Sequence, residues 1–239
     1  MRIIYTQLNK APAISASVQD ILMSQNETEH RCSNGDEQCP VWQELITLRA
    51  RVKKLENDVH RDELTGLHNR RHFNYAVNQE LERTRRTGHP TSLILLDIDH
   101  FKRVNDDYGH PIGDLAIQHV ANAIMHDLRR LDIACRYGGE EYAIILPSTP
   151  MNTAIAVAGR LRQQIVGVPI ILPQGRQLSL SASLGVSTAN FQDKEVTARA
   201  LVMQADKALY KAKNKGRNCV VAHVPFPQTS LDTSLDTAD

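Results

Sequence analysis

Ile133-Ala134-Cys135-Arg136-Tyr137-Gly138-Gly139-Glu140-Glu141-Tyr142-Ala143-Ile144-Ile145-Leu146 sets two apolar, strand-like runs on either side of two glycines and two glutamates. Glycine supplies the positive φ of a tight turn, so Ile133–Tyr137 and Tyr142–Leu146 read as a β-hairpin. Adjacent carboxylates at a hairpin tip repel each other, and a cation there relieves the repulsion. A second acidic cluster, Asp97-Ile98-Asp99, closes the apolar run Ser92–Ile98, a buried strand. If the two strands are neighbours, Asp97 and Glu140 converge on one point. Hard oxygen ligands from separate strand ends suit Mg²⁺ or Mn²⁺ bound to a triphosphate. Taken singly, each motif also fits an exposed acidic turn.

Outward from the hairpin, Asn69 caps a helix whose inward face holds Phe73, Ala76, Val77, Leu81 and Thr84. Ile112–Leu131 and Thr153–Val166 read as helices, and Pro169–Leu172 with Leu178–Val186 reads as a second hairpin around Pro173–Arg176. Ala198–Lys213 is a helix ended by Gly216, and Val220–Ala222 is a last strand. Hairpins mixed with crossover helices give an α+β fold, a central, mostly antiparallel sheet flanked by helices. No Gly-x-x-x-x-Gly-Lys-Ser/Thr loop is present, which argues against a P-loop nucleotidase.

The chain divides into four parts. Residues 1–39 are polar, apart from a stripe of Ile14, Val18, Ile21 and Leu22 on one face of a short helix. Over residues 40–61, Val41, Leu45, Leu48, Val52, Leu55 and Val59 alternate spacings of four and three, the a/d seam of a coiled-coil stalk. The same pattern also fits an amphipathic helix packed on its own domain. Residues 62–223 form the compact domain. Residues 224–239, with two prolines and a repeated Ser-Leu-Asp-Thr, read as a disordered tail.

The 239 residues carry a net charge of +1, so no global field recruits nucleic acid or an anionic membrane. No apolar run is long enough for membrane insertion, and no signal-peptide pattern opens the chain. The expectation is a cytoplasmic protein with reduced thiols, in which Cys135 and Cys219 are core residues. His30, Cys32, Cys39 and His60 match no standard zinc spacing.

The chain resembles the GGDEF-domain diguanylate cyclases from about Asp62 to His223. The resemblance rests on Asp62-Glu63-Leu64-Thr65-Gly66-Leu67-His68-Asn69-Arg70-Arg71; on Asp97-Ile98-Asp99-His100-Phe101-Lys102 with Asn105-Asp106 and Gly109-His110-Pro111-Ile112-Gly113-Asp114; on Arg136 to Tyr142; and on Ala208-Leu209-Tyr210-Lys211-Ala212-Lys213 through Gly216-Arg217-Asn218. Glu140 stands where the name-giving motif has Asp, and Tyr142 where it has Phe. A carboxylate and an aromatic ring are kept.

The resemblance implies a palm-like nucleotidyl-cyclase fold and condensation of two GTP into cyclic di-GMP by a dimer. It implies that Asp97, the Ile98 carbonyl and Glu140 ligate Mg²⁺ or Mn²⁺. Glu140 takes the 3′-hydroxyl proton, with Glu141 beside it. Lys102, with the backbone of His100 and Phe101 and the turn of Gly138 and Gly139, holds phosphate, and Lys213 and Arg217 clamp it from the other side. Asn105 and Asp114 read guanine, with His110 ordering their loop. Arg129 and Asp132, at the family's offset before the hairpin, imply an inhibitory product site, with Arg160 as its second arginine. Chemically, Arg suits guanine O6 and N7, while Asp accepts from N1 and N2. By spacing alone they also read as a helix-end ion pair.

Two competing readings remain at this stage: a non-catalytic module that only binds nucleotide, and a coiled-coil assembly protein. Intact Gly139, Glu140 and Lys102 favour the enzyme. The apolar stripe and the short seam suggest a regulatory protein binding residues 10–60, with an inert tail as the alternative.

Overall fold

The computed structural model describes residues 40, 43–49, 51, 60–172, 175–192 and 196–223. Residues 43–49 are helical, with Leu45 half-buried and Leu48 exposed. The stripe at Ile14–Leu22, seam residues Val41, Val52, Leu55 and Val59, Cys32, Cys39 and the tail 224–239 lie outside the described residues.

Within residues 60–223 the helices are α1 (Arg70–Thr87), α2 (Phe101–Tyr108), α3 (His110–Asp127), α4 (Met151–Gly167) and α5 (Ala198–Asn214). The strands are β1 (Thr91–Ile98), β2 (Ile133–Arg136), β3 (Glu141–Leu146), β4 (Ile170–Ile171), β5 (Gln177–Leu178), β6 (Ala182–Ala189) and β7 (Val220–Ala222). Five strands form one sheet in the order β2-β3-β1-β6-β7, antiparallel except for the parallel β6–β7 pair, and β4 and β5 form a separate ribbon. β1 is buried along its whole length, as a central strand covered on both faces must be. One face packs Ile94, Leu96, Ile144 and Val186 against α3 and α4; the other packs Leu93, Leu95, Ala143 and Ile145 against α1 and α5. This is the expected α+β sandwich.

Local rules account for several elements. The Asn69 side chain accepts the His72 N–H at 3.1 Å and caps α1, and Gly88 ends it at φ 78°. Gly185 lets α5 lie directly on β6: an added Cβ would stand 2.2 Å from the Ala205 carbonyl oxygen and 2.3 Å from the Leu209 nitrogen. Three expectations are corrected. The helix expected at Ile112–Leu131 spans His110–Asp127, because Leu128 turns to extended φ/ψ and the Arg129–Asp132 turn follows. The stretch His100–Lys102, to which the sequence reading assigned no helix, is mostly the first turn of a separate helix, α2. Leu178–Val186 is not one strand paired with 169–172: the chain leaves β5 at Leu178, and β6 lies in the main sheet between β1 and β7.

Candidate active site

The register of the central strands brings the two acidic clusters together. β1 and β3 pair antiparallel with Asp97 opposite Glu141, and the Ile98 N–H donates to the Glu140 carbonyl at 3.3 Å. Asp97 is 7% exposed, and the Lys213 ammonium from the last turn of α5 stands 2.7 Å from its Oδ2. Burial pushes the Asp97 carboxyl above its ordinary range; Lys213 opposes this, while Glu140 and Glu141 add to it. The surplus of negative charge is what a divalent cation would offset. Among the described residues no three His, Cys, Asp or Glu side chains group into a metal cage. Asp97 and Glu140 offer hard oxygen donors of the kind that suits a divalent cation taking its remaining ligands from water and substrate oxygens.

The hairpin tip is braced from outside. The Arg136 guanidinium donates to the Gly139 carbonyl at 2.9 and 3.1 Å, and it pairs with Asp62 at 3.1 Å. An added Cβ on Gly138 would meet Glu141 Oε2 at 2.6 Å, so the missing side chain leaves room for that carboxylate. Tyr142 is fully buried and its hydroxyl donates to the Ile117 carbonyl on α3 at 2.7 Å. That hydroxyl is the only addition relative to Phe, and it ties the hairpin to the helix carrying Asp114. Glu141 also lines two hollows, one of 510 Å³ between α1 and α5 with Phe73, Tyr137 and Met203, and one of 760 Å³ beside Lys213.

His100 is left-handed at φ 55° and turns the chain from β1 into α2, which presents Lys102 on its exposed side. Asn105 lies half-buried over α3. Its Oδ1 occupies the space where Gly113 would carry a Cβ, 1.9 Å from that ideal position. His110 and Asp114 stand exposed in the first turn of α3. Arg217 lies in the turn after α5 at φ 65°.

Arg129, Asp132 and Arg160 meet at another place. The sequence leaves a helix-end ion pair open, but the structure has a turn: Asp132 Oδ2 accepts the Arg129 backbone N–H at 2.9 Å. Arg160 forms a two-pronged pair with Asp127 at 3.0 and 3.1 Å. Burial raises Asp132, and Arg129 and Arg160 oppose it. Asp127, the last residue of α3, is a member of this cluster that sequence reasoning missed. Away from this cluster, the setting of Asp99 was also missed, since the spacing of Asp97-Ile98-Asp99 gives no sign that Asp99 faces Ser181, Ser183 and Asn218. Of the cysteines described, Cys135 is buried with its thiol pushed up to about 12, and Cys219 is half-buried.

The fold and this centre define an α+β sandwich domain with an acidic site at the mouth of its central hairpin. Within that class the chain belongs to the diguanylate cyclase GGDEF-domain family, which it matches over residues 59–219. It is 42% identical over 162 residues to the response regulator PleD of Caulobacter vibrioides, covering 67% of this chain and 35% of that one. The coiled coil and GGDEF domain of DgcB from Caulobacter crescentus, solved with c-di-GMP, superposes with a TM-score of 0.71 at 28% identity, over 76% of this chain and 95% of that one. Diguanylate cyclase SiaD of Pseudomonas aeruginosa, solved with its activator SiaC, gives 0.65 at 31% identity, over 85% and 77%. The chain spans about a third of the length of the first curated relative it matches.

Proposed function

We propose that the protein is a diguanylate cyclase that joins two GTP molecules into cyclic di-GMP and releases two pyrophosphates. The observation that carries this reading is the convergence of Asp97 and the Glu140–Glu141 pair at one sheet end, with Lys213 2.7 Å from Asp97. Asp97, the Ile98 carbonyl and Glu140 would hold the divalent metal, Mg²⁺ or Mn²⁺. When bound, it supplies charge neutralisation at the triphosphate and polarises the attacking 3′-hydroxyl. Glu140 is the base placed to take that proton, with Glu141 as its neighbour. Lys102 and the amides that open α2, at His100 and Phe101, receive phosphate oxygens from one side. Lys213 and Arg217 receive them from the other, and Gly138 and Gly139 keep side chains out of the way. Asn105 and Asp114 read guanine, because a carboxylate left facing adenine would lose its donors.

One domain holds one GTP, so catalysis requires a second copy. The seam over residues 40–61 serves that purpose by raising the partner domain to a roughly millimolar effective concentration. Arg129, Asp132 and Arg160 form the inhibitory product site. Residues 10–60 receive a regulatory protein, a reading that the likeness to SiaD, solved with an activator, supports. Among the described residues no helix is long and apolar enough to cross a membrane.

Asp97→Ala and Glu140→Ala test the core of this reading. Each should lower cyclic di-GMP formation from GTP and Mg²⁺ by about a thousandfold with the fold retained. Near-normal turnover in either variant would overturn it.

A further inference from the structure

Asp99 follows the strand end that carries Asp97 and Ile98 and precedes the helix start that carries Phe101 and Lys102. It is 5% exposed, and among the described residues no lysine or arginine pairs with it. Three donors fill it instead. Oδ2 accepts from the Ser181 hydroxyl at 2.7 Å and from the Asn218 N–H at 2.9 Å, and Oδ1 accepts from the Ser183 hydroxyl at 2.6 Å. Its own N–H donates to the Ser181 carbonyl at 2.9 Å. A buried carboxylate with three of its about four acceptor sites committed in this way has little left to offer a metal.

What it grips is strained backbone. Arg217 and Asn218 are consecutive non-glycine residues at φ 65° and 46°, a conformation with a steric cost that surrounding contacts must offset. Asp99 holds the Asn218 N–H from one side. Arg162 holds the Asn218 Oδ1 and carbonyl from the other, at 3.0 and 3.4 Å. The loop that supplies the grip turns through the left-handed His100 immediately afterwards.

We propose that Asp99 is a positioning residue whose carboxylate locks the Arg217–Asn218 turn against the start of α2. The lock spans 119 residues of sequence and holds Arg217 and Lys102 in one frame around the triphosphate. The proposal rests on the cyclase reading above, which makes Arg217 a phosphate ligand. Substitution chemistry separates this role from metal ligation. In Asp99→Asn, the amide oxygen in the Oδ2 place keeps the Ser181 and Asn218 donors. Its NH₂ can donate to Ser183, since a hydroxyl also accepts. Asp99→Ala keeps none of these bonds.

The test uses the full chain with Mg²⁺ and measures binding of α,β-methylene-GTP together with steady-state turnover of GTP. Asp99→Ala should weaken analogue binding about tenfold, the worth of one charge-assisted hydrogen bond to phosphate. Arg217→Ala should do the same, and the double variant should be no worse than either, because each removes the same contact. Asp99→Asn should stay within about threefold of wild type. Losses that multiply in the double variant, or an Asp99→Asn as damaged as Asp99→Ala, would overturn the proposal. If Asp99→Ala does not fold, Ser181→Ala carries the cycle: its smaller loss should vanish beside Arg217→Ala, and persistence there overturns the proposal. Wild-type protein that binds the analogue but makes no cyclic di-GMP overturns the cyclase reading instead, and the binding cycle still decides the lock.

Discussion

Gly113→Ala isolates base recognition from folding. Gly113 is buried in the first turns of α3, and its missing side chain is the space into which Asn105 reaches. A Cβ there would stand 1.9 Å from Asn105 Oδ1, 3.0 Å from its Cγ and 3.3 Å from Phe101 Cζ. Phe101 belongs to the core and yields little, whereas Asn105 is half-buried and can rotate. To reach an ordinary contact of 3.4 Å, Oδ1 must retreat by about 1.5 Å, enough to spoil a hydrogen bond from the proposed guanine-reading amide. Losing that pairing costs about 1–3 kcal/mol of transition-state binding, or roughly 5- to 150-fold in kcat/KM for GTP. Stability moves little, because Ala gains about 1 kcal/mol over Gly inside a helix and the Phe101 contact takes part of it back. The assay is pyrophosphate release under steady-state conditions, alongside urea denaturation. In an Asn105→Ala background the two closest contacts of the new Cβ are gone, so Gly113→Ala should cost less than about twofold. Unchanged kcat/KM in the single variant, or an equal loss in both backgrounds, would refute the reasoning.

Gly185→Ala forces a Cβ against two backbone atoms of α5 and should destabilise the fold by about 3 kcal/mol or more in urea, with α5 lifting from β6. A midpoint equal to wild type would mean that α5 does not lie as described. His68 stacks on His72 at 3.8 Å, and its pKa is lowered to about 4, first by burial and then by His72 and Arg61, against a His60 backbone hydrogen bond that raises it. A histidine held below its ordinary 6.5 contributes stability that is full above that value and is lost as the pH falls toward 4; His72 is shifted in the same direction. Thermal midpoints of His68→Gln should therefore fall less between pH 7 and 4 than those of wild type, and parallel curves would contradict this. Arg129→Ala should keep its initial rate and lose inhibition by added cyclic di-GMP, measured as product accumulated at plateau; equal inhibition of both proteins would show that the product binds elsewhere.

Much of this was legible in the chain because it depends on near neighbours. Asn69 caps α1, the inward face from Phe73 to Thr84 is buried, and the Gly-Gly-Glu-Glu turn joins two paired strands, all as periodicity and turn chemistry require. α2 was not legible. Its eight residues bury only Phe101 and Val104, too few to show a helical period. β6 was read as a strand but given the wrong partner, because pairing with β1 and β7 joins residues far apart in the chain; its small or hydroxyl residues Ala182, Ser183, Gly185 and Ser187 are all buried in the sheet. On the face toward α5, the missing side chain of Gly185 serves the close approach of that helix, a tertiary requirement. The partners of Asp99 and Arg160 lie far along the chain, and no local pattern records them.

The central claim is tested most directly by product stoichiometry. Purified full-length protein is incubated with GTP and Mg²⁺, and guanine nucleotides and pyrophosphate are resolved by chromatography and phosphorus NMR. The account predicts one cyclic di-GMP and two pyrophosphates for every two GTP consumed, with turnover abolished by chelation of the metal. GTP recovered unchanged, or hydrolysed to GDP and phosphate without cyclic di-GMP, would contradict it.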